Sequence, residues 1–321
     1  MATLVCGSVL LAPAAAQALT AEEVNRSGRP AATKGKVTRA NAAIVKAQVL
    51  LARQGVSPGE IDGLDGDNYR KAIDQFRRRE NLGTGEIIDA PTWQALKGDV
   101  SADIVSDYDV KKADIKTPFV RRIPHDYARQ ARMKRLGYKN VQEMFAERFH
   151  MSEGLLRALN PRIHYRKSGE AIHVLSVTRA LPSGEVVTVE ADKARGMVRA
   201  MDAAGKVIAL YPATIGSEHT PSPEGELQVI RVVKNPTYHY DPVKNFQQGK
   251  NQRRLVLPRG PNNPVGTVWI ELSEPTFGIH GTPEPSKISK ASSHGCVRLT
   301  NWDAEELAQL VRPGTTVRFI E

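Results

Sequence analysis

The first third of the chain spaces its apolar residues as amphipathic helices do. From Arg39 onward two sets recur at intervals of three and four, first Ala43, Ile44, Ala47, Leu50 and Leu51, then Tyr69, Ala72, Ile73 and Phe76. Such intervals place side chains on one face of a helix. Glycines separate the two sets, and a third short helix is predicted around Trp93 and Leu96. Residues 39–98 therefore predict a small three-helix domain.

A second unit is predicted over residues 135–177. Its apolar positions form two helix faces, one of Val141, Met144, Phe145 and Phe149 and one of Leu155, Leu156 and Leu159. Asn160-Pro161 ends the second helix, and residues 171–175 then predict a strand. The polar stretch 19–38 is interpreted as a linker, and the irregular stretch 99–134 as a connecting segment.

From Leu181 to the C-terminus the pattern changes to short β-type runs. Three of them lie at 186–189, 197–201 and 207–211, with turns between them. The other elements predicted here are a helix over 304–311, capped by Thr300 or Asn301, and a last strand over 315–320. The predicted fold class is therefore multidomain: a mainly-β domain over 181–321, as an antiparallel sheet sandwich, preceded by the helical domain and an α+β module.

A long polar loop, residues 235–253, interrupts this β-rich region. A loop of this length in a compact domain is often a lid or a binding loop. Tyr238 and Tyr240 within it either line a substrate cleft or serve as half-buried loop aromatics.

Residues 1–18 are small and apolar and end in Ala16-Gln17-Ala18, which resembles a signal-peptide cleavage site. The segment is too short to cross a bilayer, and no later apolar run is long enough. We therefore expect export to the periplasm or cell wall and no transmembrane anchor. Cleavage would remove Cys6 and leave Cys296 as the single cysteine, without a partner for an internal disulfide.

The formal net charge is +10, which suits an anionic partner. The basic residues look scattered, and the densest run, residues 77–79, lies on a predicted helix. A solvated helix face accounts for that run, so we expect no nucleic-acid partner.

The candidate chemistry lies in two short motifs. Phe277-Gly-Ile-His280-Gly281 is followed, after a polar spacer, by Ser293-His294-Gly295-Cys296-Val297-Arg298. A thiol attacks a carbonyl as thiolate and needs a base nearby, and both His280 and His294 are candidates. Gly295 can bring a backbone amide to a developing oxyanion, and Arg298 can either hold a carboxylate or brace the loop.

A zinc site is the alternative for these residues, because two His and one Cys are possible ligands. No second Cys lies near, and residues 286–299 contain no Asp or Glu. We therefore expect no metal and no cofactor.

The two motifs resemble the signature of the YkuD-type L,D-transpeptidase family. The matching positions are His280, Ser293, His294, Gly295, Cys296 and Arg298. The resemblance implies a peptidoglycan stem peptide as substrate and Cys296 as a nucleophile that forms a thioester. It assigns His280 as the base, oriented by the backbone carbonyl of Gly281, and His294 as an auxiliary group. Ser293 and Arg298, with Tyr238 and Tyr240, are the expected substrate-binding residues, and the amides of Gly295 and Cys296 the oxyanion donors.

The N-terminal units resemble two wall-binding modules. Residues 39–98, with Ile61-Asp62-Gly63 and Ile87-Ile88-Asp89 in their turns, resemble a peptidoglycan-binding domain, and residues 135–177 resemble a LysM module. In the second unit no opening strand is evident before the first helix. These resemblances imply contacts with peptidoglycan and possibly with its glycan strands.

Two other functions remain open at this stage. The same Cys/His site would serve an L,D-carboxypeptidase or a crosslink-cleaving hydrolase, with water as the acceptor. From a different class, the chain could be a non-catalytic wall anchor, although the intact motif argues against it. The oligomeric state is left open.

Overall fold

The computed structural model describes residues 19–32, 37–100, 103–178, 180–181, 184–217, 220–244, 246–290 and 295–321. The signal-like segment, residues 1–18, lies outside them. Across the described ranges, no helix combines the length and the apolarity needed to span a membrane.

Four helices form the N-terminal unit: α1 (Ala21–Arg26), α2 (Ala42–Arg53), α3 (Asp67–Arg79) and α4 (Ala90–Ala95). Side chains cap them where the sequence offers Asx residues, since Asn41 accepts from the backbone N–H of Ile44 and Asp89 from that of Thr92. The apolar faces predicted for α2 and α3 are buried together in one core.

The segment interpreted as a linker contains α1 instead. Thr20 and Glu23 form a reciprocal capping box at its start, and Val24 is fully buried in the core. Asn25 bonds the backbone of Val105 in both directions, at 3.0 and 2.8 Å. The linker prediction was wrong for this part because these tertiary contacts order a short polar helix that periodicity cannot reveal.

The second unit has the order strand, helix, helix, strand. Its elements are β1 (Val105–Asp109), α7 (Val141–Arg148), α8 (Glu153–Leu159) and β2 (Ala171–Leu175). β1 pairs antiparallel with β2, with Val105 opposite Leu175. The opening strand thus exists, but it lies in the stretch interpreted as a connecting segment.

Residues 110–140 separate β1 from α7 and carry two short helices, α5 (Lys112–Ile115) and α6 (Tyr127–Gln130). We call residues 116–139 of this excursion the strap.

The mainly-β unit contains eleven strands among the described residues: β3 (Thr188–Asp192), β4 (Met197–Met201), β5 (Val207–Pro212), β6 (Thr214–Ile215), β7 (Gly225–Lys234), β8 (Tyr238–Tyr240), β9 (Leu255–Leu257), β10 (Val268–Leu272), β11 (Gly278–His280), β12 (Val297–Arg298) and β13 (Thr316–Ile320). Nine of them follow the order β5-β4-β3-β13-β7-β10-β11-β12-β6, and β8 pairs with β9. The sheet is mixed, because β13 runs parallel to β3 and β11 parallel to β12. The expectation of a wholly antiparallel sheet was wrong for these two pairs.

The long strand β7 joins two halves of the sheet. Its first residues pair with β13 and its last residues with β10. Buried side chains from both halves share one core with helix α9 (Asn301–Leu310). Thr300 caps α9 by accepting from the N–H of Asp303 at 3.1 Å, so the predicted helix and one of its two predicted caps are present.

The units are interlocked rather than strung on linkers. Ile61 bonds the backbone of His150 and Ser152, and Ser57 bonds that of Leu210 in β5. Met197 and Leu210 of the sheet belong to the same hydrophobic core as the N-terminal helices. The mainly-β unit therefore meets the N-terminal units across an extensive packed boundary.

Candidate active site

Strand pairing brings the two motifs together. In the parallel pair β11–β12, His280 lies opposite Arg298, and the Leu299 N–H donates to the His280 carbonyl at 2.9 Å. Side chains alternate along a strand, so Cys296 lies on the same side as Arg298. Ile279 and Val297 point the other way and are fully buried in the core. The apolar residues of each motif thus anchor it while the polar ones face a common cleft.

His280 is held in one orientation. Its Nδ1 lies 2.6 Å from the carbonyl oxygen of Gly281, and its ring stacks on Trp269 at 5.5 Å between centroids. A carbonyl only accepts hydrogen bonds, so Nδ1 carries the proton and Nε2 is left as an acceptor. Burial, aided by the positive charge of Arg298, lowers the pKa of His280 to about 3. The imidazole is therefore neutral at ordinary pH and able to take up a proton.

Cys296 is half-buried, with its Sγ 3.6 Å from the carbonyl oxygen of Thr276. Burial raises the pKa of this thiol to about 11, against opposing contributions from a Gly278 backbone hydrogen bond and from Arg298. The resting protein therefore holds a neutral thiol beside a neutral imidazole.

The motifs need glycine at three positions because a side chain would not fit there. A Cβ on Gly278 would lie 2.6 Å from the Trp269 ring, and one on Gly281 would lie 2.1 Å from Oδ1 of Asn301. Gly295 has φ of +95°, and a Cβ there would lie 2.7 Å from the Phe277 ring. Glycine at these three positions therefore lets the strand backbones approach their neighbours closely around the cleft.

The cleft is a cavity of about 720 Å³. Residues that line it include His280, Cys296 and Arg298 from the motifs, Trp269 from β10, and Tyr238 and Phe246 from the long loop. It thus gathers side chains from distant parts of the sequence around the candidate nucleophile.

Tyr240 does not line this cavity. Only 1% of it is exposed, its ring packs against Tyr127 and Phe246, and its hydroxyl accepts from the backbone N–H of Gln248. The structure places Tyr240 in the packing between the long loop and the strap, which corrects its expected role in substrate binding. Ser293 and His294 lie outside the described residues.

Sequence reasoning missed the strap. Ile123, Pro124, His125, Tyr127 and Gln130 line the cavity, although they belong to the excursion between β1 and α7. The segment was interpreted as irregular, and its two prolines and three aromatic residues gave no sign of the partner against which it packs.

A contact between units behind the cleft was also missed. The Asn301 side-chain N–H donates to Glu147 of α7 at 2.7 Å, and the Thr267 N–H donates to Asn301 Oδ1 at 3.1 Å. Burial raises the pKa of Glu147 to about 8. Asn301 thus connects α7 to the backbone next to Gly281.

No three His, Cys, Asp or Glu side chains within the described ranges converge as metal ligands would. The polar groups around Cys296 are a base, a cation and backbone carbonyls, which suit nucleophilic attack by a thiol on a carbonyl.

Comparison with known proteins shows which family this part of the chain resembles. Residues 186–319 match the family model of the L,D-transpeptidase catalytic domain, YkuD. The curated relatives include YkuD of Bacillus subtilis, 34% identical over 112 residues that cover 35% of this chain and 53% of the relative. YbiS of Escherichia coli K12, another protein named as an L,D-transpeptidase, is 42% identical over 66 residues, 21% of each chain.

Among solved structures, L,D-transpeptidase 3 from Mycobacterium tuberculosis, in complex with a faropenem-derived adduct, matches at 16% identity with a TM-score of 0.36. That match covers 47% of this chain and 67% of the other. An Enterococcus faecium L,D-transpeptidase matches at 21% identity and a TM-score of 0.32, covering 43% and 50%.

The mainly-β part of the chain is therefore similar to the catalytic domain of the YkuD-type L,D-transpeptidase family. The chain spans about half the length of the curated relatives it matches first.

Proposed function

We propose that the protein is a cysteine-dependent L,D-transpeptidase that acts on peptidoglycan stem peptides outside the cytoplasm. The observation that carries the proposal is the β11–β12 register. It aligns His280 with Arg298 and puts Cys296 on the same side, in one cavity lined by all three.

In the proposed first step, the Cys296 thiol attacks the carbonyl that joins an L-centre to a D-amino acid. Because the pKa of the thiol lies far above that of His280, proton transfer to Nε2 accompanies the attack rather than preceding it. The sulfur–carbon bond forms, and the carbonyl oxygen becomes an oxyanion. The amides of Gly295 and Cys296 are the proposed donors to it, each worth on the order of 3 kcal/mol.

Collapse of this intermediate breaks the peptide bond. The D-amino acid leaves as an amine with the proton from His280, and a thioester remains on Cys296. An acceptor amine then attacks the thioester, gives its proton to His280 and leaves a new peptide crosslink with a free thiol. Arg298 is the proposed partner of a substrate carboxylate, which a guanidinium can bind with two parallel hydrogen bonds.

We extend the proposal to the N-terminal units. The strand–helix–helix–strand order completed by β1 supports the LysM-like assignment, and the four helices support a wall-binding role. The signal-like residues 1–18 support export to the periplasm or cell wall.

Intact-mass spectrometry after incubation with a disaccharide-tetrapeptide tests the proposal. An adduct on Cys296 that has lost the terminal D-residue, together with dimeric muropeptide, is the expected result. An adduct with only shortened monomer would instead identify an L,D-carboxypeptidase. The absence of any adduct would contradict the mechanism and favour a non-catalytic anchor.

Two variants assign the residues. Cys296→Ser should abolish turnover while leaving the fold intact, and full activity in this variant would refute the nucleophile assignment. His280→Ala should remove acylation, whereas retained acylation would transfer the role of base to His294.

A further inference from the structure

The positive charge of the chain is concentrated around the candidate active site. The strap, residues 116–139, carries eight Lys and Arg against one Asp, and residues 235–259, which are the long loop extended through strand β9, carry five against one. These thirteen cations account for the whole net charge of +10, so the rest of the chain is nearly neutral. The interpretation of the basic residues as scattered was wrong, because two segments almost a hundred positions apart in sequence come together in the fold.

All thirteen side chains are exposed. Within the part of the chain that the structure describes, Lys139 pairs with Glu143 at 3.1 Å and Arg254 with Asp241 at 2.8 Å. Lys139 and Lys244 reach the wall of the cavity itself, where Arg298 supplies a third cation. Among the described residues, three cations therefore line the cavity together with one carboxylate, Glu284, which pairs with Lys287 at 2.6 Å.

The strap and the long loop form one continuous surface. Gln248 bonds the strap at two points, by accepting from the Tyr127 N–H at 3.1 Å and donating to the His125 carbonyl at 2.9 Å. At the other end, the Leu136 N–H donates to the Arg259 carbonyl at 2.9 Å. We call the strap and residues 235–259 together the basic collar.

The aromatic residues of the collar face each other. Tyr127 meets Tyr238, Tyr240 and Phe246 edge-on, at centroid distances of 5.3 to 6.1 Å. Proteins that bind single-stranded nucleic acid stack bases on exposed aromatic faces. In the collar, Tyr238, Tyr240 and Phe246 pack around Tyr127, whereas all thirteen cations are exposed, so the observations favour an anionic partner recognised by charge.

We propose that the basic collar is a docking surface for a carboxylate-rich polymer strand, the peptidoglycan strand whose peptide branches enter the cavity. This rests on the proposed function for the polymer's identity, whereas the electrostatic capture does not depend on the chemistry at Cys296. Peptide branches that bear free carboxylates would meet the collar repeatedly along the strand. Capture would raise the local concentration of branches at the cavity and would weaken with ionic strength.

Sedimentation of the full-length protein with purified peptidoglycan sacculi, between about 25 and 200 mM NaCl, tests the inference. The collar variant is R121Q/R122Q/K250Q/R253Q, whose four side chains are exposed. A matched control, R162Q/R166Q/K167Q/K206Q, removes four exposed cations elsewhere. We expect the collar variant to lose about tenfold in affinity and much of its salt dependence, and the control to change less than about twofold. Sacculi whose carboxylates have been converted to amides should bind weakly to the wild type.

Equal losses in the two variants, or equal binding to native and amidated sacculi, would overturn the inference. Tighter collar-dependent binding to phosphatidylglycerol vesicles or to a single-stranded oligonucleotide would also overturn it, by assigning the surface to a membrane or to nucleic acid. Turnover measured in parallel separates the two proposals. Collar-dependent binding without turnover would refute only the transpeptidase assignment, and turnover with unaltered binding in the collar variant would refute only the docking surface.

Discussion

Asn301 and Glu147 form a hydrogen bond of 2.7 Å between the first turn of α9 and helix α7, which belongs to a different unit of the chain. Asn301 also lies against Gly281, whose carbonyl orients His280. Only two residues, Asn301 and Gly281, therefore lie between Glu147 of the strand–helix–helix–strand unit and the candidate base. The N-terminal part of the molecule thus supports the geometry of the catalytic domain.

The burial of Glu147 predicts that the stability of the protein depends on pH. The folded-state pKa of Glu147 is raised to about 8 by burial, with Glu143 and Glu305 adding to the effect and Asn301 and Tyr138 opposing it. Between the unfolded and the folded pKa, the folded state holds the extra proton, so this group makes stability fall as pH rises from about 4.5 to about 8. Glu147→Gln keeps an acceptor for Asn301 and should flatten the decline in melting temperature over that range. An unchanged profile would show that Glu147 does not titrate there.

Gly281→Ala should reduce acylation strongly, because the added Cβ would overlap Oδ1 of Asn301. The cost is expected to be about 1–3 kcal/mol of stability, as for other overpacked sites. Gly28→Ala is a matched control, because nothing lies within 4 Å of a Cβ at that glycine. Asn301→Ala in the Gly281→Ala background should restore part of the loss by removing the clashing oxygen. Melting curves and acylation rates of the four proteins would decide this, and wild-type behaviour of Gly281→Ala would contradict the packing argument.

In the protein without substrate, the Cys296 thiol should lose its proton only at high pH. Because burial raises the pKa of Cys296 to about 11, its alkylation by iodoacetamide should be slow at pH 7 and should still be rising at pH 10. Arg298→Gln removes a charge that lowers this pKa and should shift the profile further upward, whereas Arg298→Lys should stay near the wild type. Peptide-level mass spectrometry distinguishes Cys296 from Cys6. A midpoint below about 9, the ordinary value for a thiol, would contradict the burial argument.

Tyr127 should hold the long loop in place. Its ring contacts those of Tyr238, Tyr240 and Phe246, so Tyr127→Ala should cost about 1–3 kcal/mol and loosen the loop. Tyr127→Phe retains the ring and should behave like the wild type. Limited proteolysis within residues 241–254 is the measurement, and equal cleavage rates in the two variants would show that the strap does not restrain the loop.

The features determined by the sequence alone are those that depend on neighbouring residues. Helical periodicity located α2, α3, α7 and α8, and Thr300, one of the two residues predicted as a cap, marks the start of α9. The spacing within Ser293–Arg298 and its match with His280 were sufficient to indicate the resemblance to the YkuD-type family, because the reactive groups and the glycines of each motif lie within a few residues of each other.

Only the tertiary structure decided which distant segments meet at the site. The pairing of β1 with β2, the ordering of α1, the bond from Glu147 to Asn301 and the joining of strap and long loop all connect residues far apart in sequence. Such contacts depend on how whole elements pack, and a polar or irregular stretch carries no periodic signal of its partner. The concentration of positive charge around the cavity became visible for the same reason, since two basic segments form one surface only after the chain has folded.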